Sequence, residues 1–357
     1  LFEKHPSVQT DTRKLQLGDL YFALKGPNFN GNNFASHALE AGASYAIVDE
    51  AVEYEETEKL HSWDYKCIDD LIDTFLKPYR NTDRYPIIIV IGVPGPIFNN
   101  QATVFANLPW PAVKGQDIAS KFNVKAAYFL NDFVVNGYGI LSHLVEGTDY
   151  IKLNNVEPDP NGPIGMIGAG TGLGHGLIFK NEDAKYHEVF PSEGGHQDFA
   201  PSDDIQMKYF KYLQKHYNIE HVSVERACSG PVLPVMYNFF TELENVAEEE
   251  HLIDKKNLHN KDIIEHGMTK KCKICTKVLN LFIDIYAAAA GNLALLSLPT
   301  GGIYLLGGLT IALEDIIKQD DRFVNRFLEK GRLKGILTKI PIYLIRNDLI
   351  GVKGAEV

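Results

Sequence analysis

Apolar and polar positions along this chain change period several times, and each change predicts an element. Near the start, "DLYFALKG" (19–26) alternates as a strand does. "NNFASHALEAGA" (32–43) has the pattern of a short helix closed by Gly42, and "SYAIVDE" (44–50) predicts the next strand. "VEYEETEKLHSWDYK" (52–66) is polar and acidic, which suits an edge strand or a linker. In "CIDDLIDTFLKPY" the residues Ile68, Leu71, Ile72, Phe75 and Leu76 fall on one helical face. From Tyr85 the texture changes. "YPIIIVIGVPGP" predicts a buried strand running into a Gly/Pro loop, and "AAYFLNDF" a strand with polar residues at its end, followed by a helix in "VVNGYGILSHL". "PIGMIGAGTGLGHGLIF" reads as strand, tight turn, strand. "SDDIQMKYFKYLQKHYN" is amphipathic, with Ser202 where an N-cap belongs, Asp203 and Asp204 in the first turn and Lys215 near the end. A long helix over roughly 270–297 precedes the buried strand "GGIYLLGGL", and "KIPIYLIRND" is the last strand. Strands alternating with helices define an α/β protein.

Composition narrows the class. The 357 residues are 45% hydrophobic and 23% charged, enough for two globular domains. The net charge of −11 and the absence of a basic stripe argue against a nucleic-acid partner. Four cysteines in so long a chain make no disulfide framework, and point to a reducing, cytoplasmic setting. Cys272 and Cys275 form a lone C-x-x-C without a second ligand pair, so they read as two helix residues and no metal site is assigned. "LFEKHPSVQT" lacks the apolar core of a signal peptide. Tyr286 to Leu313 carries no charge, but Asn292, Pro299 and paired glycines interrupt it, so it reads as a buried helix end, turn and strand rather than a membrane span.

The chemistry gathers around glycine turns. Five of the ten residues in "IGAGTGLGHG" are glycine. Successive N–H groups in such a turn can form an anion nest, with the Thr171 hydroxyl as a further donor. A structural hairpin without a ligand fits the spacing equally, because the stretch is neither a P-loop nor a dinucleotide fingerprint. Asn131 and Asp132 sit at a strand end, Glu193 and His196 flank two glycines, and "SVERACSGP" supplies Glu225. Singly, each suits a capped turn or a solvated face. Together they offer carboxylates, an amide and an imidazole, groups able to satisfy several hydroxyls of a sugar at once.

From about residue 60 onward the chain resembles the bacterial-type glucokinases of the hexokinase/actin-like superfamily. "GVPGP", "ANLPWP", "LNDF", "GAGTGLG", "SEGGHQDFAP", "ERACSGP", "GNLAL", "GGIYLLGGL", "KGRLKGIL", "IPIYLI" and "GVKGA" carry the likeness, in the family's order and at its spacing. The resemblance implies two α/β domains of ribonuclease-H-like (actin-like ATPase) type closing over a cleft. It also implies transfer of the γ-phosphoryl of ATP, with Mg²⁺, to the 6-hydroxyl of glucose. On it, Asp132 is the catalytic base, and Asn131, Glu193, His196 and Glu225 bind glucose. Gly170, Thr171 and Gly172 form a phosphate loop, and Gly307 and Gly308 the adenosine-side turn. The family is often dimeric, so a homodimer is implied; a membrane partner is not.

The likeness has two breaks. The family opens on a first phosphate loop, D-x-G-G-T-N, which holds ATP phosphates and orders the metal; it occurs nowhere in this sequence. In its place, residues 1–50 resemble the N-terminal domain of the ligase that adds D-alanyl-D-alanine to UDP-N-acetylmuramoyl-tripeptide. Thr10, Asp11, Thr12 and Arg13 match its UDP-sugar segment, and "FALKG" the following strand. The ligase's ATPase loop is missing. The expected organisation is therefore a ligase-like segment over 1–50, a small kinase domain over 51–140 plus 341–357, and a large one over 141–340. Three functions follow: a glucokinase weakened by the missing loop, a sugar-binding module without turnover, or a fragment of a cell-wall peptide ligase.

Overall fold

The structure, a computed structural model, describes residues 60–357 except 83, 106–107, 182–185, 245–257 and 357. From the first 59 residues it describes five short strands: Val8–Gln9, Leu20–Ala23, Lys25–Gly26, Phe29–Asn30 and Tyr45–Val48. The chain divides into Leu1–Asp64 and Tyr65–Val357. In the first unit, Leu20–Ala23 pairs in parallel with both Val8–Gln9 and Tyr45–Val48, so both predicted strands are present. Parallel neighbours need a crossover between them. The helix expected over 32–43, the Thr10–Arg13 segment and most of the acidic stretch lie outside the described residues.

Among the described residues the second unit contains two sheets that frame the site and a third made of the short strands Ile97–Phe98, Gln101–Ala102 and Val113–Lys114. Helix α1 (Ile68–Leu76) buries Ile68, Ile72 and Leu76, the apolar face its spacing predicts. Strand β1 (Ile88–Val93), helix α2 (Gly115–Phe122), strand β2 (Ala126–Asn131) and helix α3 (Asp132–Ile140) follow. β1 and β2 pair in parallel, with Val93 opposite Asn131. The Asn100 side chain substitutes for a strand on the other edge of β2: its Nδ2 donates to Ala127 O at 2.8 Å and its Oδ1 accepts Phe129 N at 2.7 Å. The outer edge of β1 pairs with no described strand. The sequence predicts β1 as buried, and here the structure differs. Ile87 is 71% exposed and Ile88 48% exposed, and only Val93, at the far end, is buried. A parallel strand becomes buried through neighbours on both edges and layers on both faces, and β1 has a neighbour on one edge.

The second sheet holds strands β3 (Tyr150–Lys152), β4 (Ile164–Ala169), β5 (Leu173–Asn181), β6 (Tyr186–Ser192), β7 (Gly302–Leu306) and β8 (Ile342–Ile345), in spatial order β3-β8-β7-β4-β5-β6. Alternation along its central strands sends side chains to opposite faces. Ile167, Leu305 and Leu344 enter a core shared with helices α4 (Asp204–Tyr217), α5 (Leu233–Leu243) and α6 (Lys273–Ser297). Met166, Leu306 and Ile345 enter a second cluster with Ile140 of α3 and Ile350 of α7 (Ile350–Glu356). α6 is the one helix among the described residues long and apolar enough to cross a membrane, and most of it is buried in the protein core. The predicted helix end, turn and strand over 286–313 are present. Cys272 caps α6, its Sγ accepting from Cys275 N.

One detail of the predicted α4 is corrected. Its N-cap is Asp203, not Ser202: Asp203 Oδ1 accepts Gln206 N at 2.8 Å, while the Ser202 hydroxyl turns to Gln206 Oε1. The carboxylate one residue later reaches the free amide directly.

Candidate functional site

The sequence "LND" builds the floor of a cleft. β2 ends on Asn131, whose extended backbone and side chain form the N-cap of α3; its Oδ1 accepts Phe133 N at 2.9 Å and Val134 N at 3.3 Å. Asn131 Nδ2 donates to Gly95 O at 3.2 Å, which ties the Gly/Pro loop after β1 to the same point. Asp132 is then the first residue of α3, where the helix dipole favours a carboxylate. Its carboxylate accepts Phe133 N at 3.0 Å. Burial nevertheless pushes its pKa above the usual aspartate value, the Phe133 amide opposes the shift, and the charge of Glu193 adds to it.

Opposite stand the residues from the large sheet. β6 leads into Glu193 and the turn Gly194–His196. This turn lies against β5: a Cβ on Gly195 would meet Leu173 O at 2.0 Å and one on Gly194 would meet His175 Nδ1 at 2.1 Å, so the paired glycines are a packing requirement. Glu225 lies in the short helix Val224–Ala227, capped by Ser223. Its Oε2 accepts Leu173 N at 2.9 Å, and its Oε1 faces His196 Nε2 at 4.0 Å. His196 Nε2 is 3.7 Å from Glu193 Oε2. These distances exceed a direct hydrogen bond and leave the groups' donors and acceptors available to a ligand.

The glycine-rich stretch has several guests. A Cβ at Gly174 would fall 2.1 Å from the Phe133 ring, so α3 seats an aromatic directly on the β4–β5 hairpin. A Cβ at Gly172 would fall 2.5 Å from Glu225 Oε2. A Cβ at Gly170 would meet nothing within 4 Å; its N–H closes the turn onto Gly172 O at 2.9 Å and its carbonyl accepts Gly230 N at 2.7 Å. Much of what the sequence offers as a bare loop for a ligand is therefore occupied by the protein's own side chains.

One cavity of about 570 Å³ joins these pieces. Asn131, Asp132, Gly170, Thr171, Gly172, Glu193, His196, Glu225 and Gly307 all line it. Gly308 does not; the chain turns at Gly307, with φ of 96°, and Gly308 begins the short helix Gly308–Ala312. The lining includes three carboxylates and no Lys or Arg. A neutral polyol suits that end better than an anion. At the glycine turn the described lining offers backbone, the Thr171 hydroxyl and the Glu225 carboxylate, whose Oε2 is already held by Leu173 N.

Sequence reasoning missed His175, which also lines the cavity. It is 5% exposed, its Nε2 has no partner among the described residues, and burial pushes its pKa down to about 4. A histidine inside a strand of glycines and aliphatics is the signal that could have found it. Asn136 and Ser192 line the cavity too; nothing in the sequence pattern marks them.

Fold and site together are those of a sugar kinase: a polar cavity with room for a hexose and more, on an α/β scaffold. A family model described as glucokinase matches residues 41–357. The glucokinase of Nostoc punctiforme is 33% identical over 311 residues, spanning 84% of this chain and 89% of that relative. A glucokinase crystal structure from an Antarctic psychrotroph superposes with a TM-score of 0.71 at 25% identity, covering 86% of this chain and 92% of that one. A ROK-family glucokinase from Streptomyces griseus, solved with glucose and AMPPNP, shares the fold at a TM-score of 0.54 and 16% identity, with 82% and 88% covered. The chain belongs to the glucokinase family.

Proposed function

We propose that this chain binds glucose in the 570 Å³ cavity and transfers to it the γ-phosphoryl of ATP. The convergence of Asp132, Glu193, His196 and Glu225 on one cavity carries this reading. Asp132 accepts the proton of the attacking 6-hydroxyl. Its raised pKa suits that task, because a base poised closer to neutrality transfers protons more effectively. Glu193, His196 and Glu225 hold the ring hydroxyls; Asn131, expected among them, has its amide engaged by Phe133 N, Val134 N and Gly95 O and instead holds Asp132 in place by fixing the start of α3. The Gly170–Gly172 turn and Gly307 receive the nucleotide end.

ATP enters as its Mg²⁺ complex, the ion being a part of the substrate. Among the described residues no group of three or more His, Cys, Asp or Glu could cage a metal, and the one lining carboxylate set against the glycine turn, Glu225, already accepts Leu173 N. The chain's own contribution is positioning of the hydroxyl and removal of its proton. Without the D-x-G-G-T-N loop the phosphates lose donors, and each such donor is typically worth about 10²–10³ in turnover. Glucose binding therefore survives better than catalysis.

Glucose titration by calorimetry, run beside a coupled assay for ADP release with glucose, ATP and Mg²⁺, tests this reading. Saturable binding with slow, glucose-dependent ADP release is the expected result. A chain that binds no glucose overturns it.

A further inference from the structure

A second cavity, of about 430 Å³, opens off the first. The two share Gly95, Asn131, Pro191, Ser192 and Glu193. Beyond that shared rim the annex is walled by Pro96, Ile97, Phe98, Phe129, Leu130 and Val134, all apolar. The rim amide is already spent: Asn131 Oδ1 accepts two amides of α3 and Nδ2 donates to Gly95 O. Asp132, His196 and Glu225 line the polar cavity and not the annex. Phe98 is 65% exposed on the short hairpin Ile97–Phe98/Gln101–Ala102, turned by Asn99 and Asn100 in the left-handed region.

We propose that this annex is a subsite for an apolar substituent on the bound hexose, an acyl or alkyl group on a ring carbon remote from the primary alcohol. The proposal rests on the sugar-site reading above. Glu193 and Ser192 line both cavities, so a substituent on a ring carbon held beside Glu193 has a path from the polar cavity into the annex. A hydroxyl entering the annex past Ser192 and Glu193 gains nothing from the apolar side chains there, whereas an alkyl chain gains by covering the exposed Phe98 together with Ile97 and Val134. The annex thus widens the substrate class from plain hexoses to N-acyl hexosamines or O-alkyl hexoses.

Calorimetric binding requires no turnover and tests this directly. The probes are glucose, N-acetyl-, N-butyryl- and N-hexanoylglucosamine, and 3-O-methyl- and 3-O-propylglucose, each against the full chain and against Phe98→Ser. Affinity should rise with chain length in at least one series, by about fourfold per added methylene. Phe98→Ser should remove most of that gain and leave glucose affinity unchanged. Affinity that is flat or falls with chain length in both series, with glucose still bound, overturns the annex and spares the sugar site. A gain that persists undiminished in Phe98→Ser also overturns it. Failure of glucose itself to bind overturns both.

Discussion

β1 and β4 are strands of similar apolar character with different surroundings. β4, "IGMIGA", lies between β7 and β5 with helices on both faces, and from Gly165 onward every position is buried. β1, "IIVIGV", is more apolar still, yet it has one neighbour among the described strands and buries one residue fully. Position in the sheet, not composition, sets burial. The same contrast bears on function. Asp132 follows a strand of the small sheet, but α3 packs on the large one: a Cβ at Gly174 would strike Phe133, and a Cβ at Gly139 would come 2.0 Å from Ile350 O of α7. The base is thereby anchored to the fully built half of the molecule, with Glu193, His196 and Glu225.

Three perturbations probe this contrast, in falling order of effect. His175 belongs to the large sheet, and its pKa of about 4 lies below the unfolded value near 6.5. Between these values the unfolded chain binds more protons, so stability is full above about pH 6.5 and declines as pH falls toward 4, by about 3 kcal/mol in all. His175→Leu should flatten that dependence in urea melts at pH 7, 6 and 5; a parallel decline in both proteins would contradict the assignment. Gly174→Ala forces a methyl against the Phe133 ring and should cost about 1–3 kcal/mol. It should weaken glucose binding with it, since the ring seats the helix that carries Asp132; unchanged melting and binding would detach α3 from the large sheet. Ile88→Thr, on the half-exposed end of β1, should alter stability by no more than about 0.5 kcal/mol. It should instead reduce concentration-dependent association seen by sedimentation, because exposed apolar edges pair with other chains. A wild-type chain that stays monomeric at high concentration would show this edge to be protected.

The sequence made the period-2 and period-3.6 elements legible, from α1 through α6 to β8, because each buries one face or lies wholly within a core. The exposure of β1 was not legible. A run such as "IIIVIGV" records that a strand is apolar and leaves open which partner lies on each edge. At the site, Asn131, Asp132, Glu193, His196 and Glu225 were found from motif order, and the cavity gathers all five. The work of the glycines was only half visible. Gly172 and Gly174 make room for Glu225 and Phe133, contacts between residues about 40 to 50 positions apart that no local spacing encodes. His175 was passed over because the glycines around it dominate the pattern.

Asp132→Asn tests the central claim most directly. The substitution removes a carboxylate whose ionisation burial opposes, and keeps its shape. Because the folded pKa lies above the unfolded one, the charged form weakens the fold above that range, and the variant should melt no lower than the wild type at neutral pH. Glucose affinity measured by calorimetry should stay within about threefold while glucose-dependent ADP release falls about 10²–10⁴-fold. ADP release that continues undiminished in a variant still binding glucose would show that Asp132 does not take the proton.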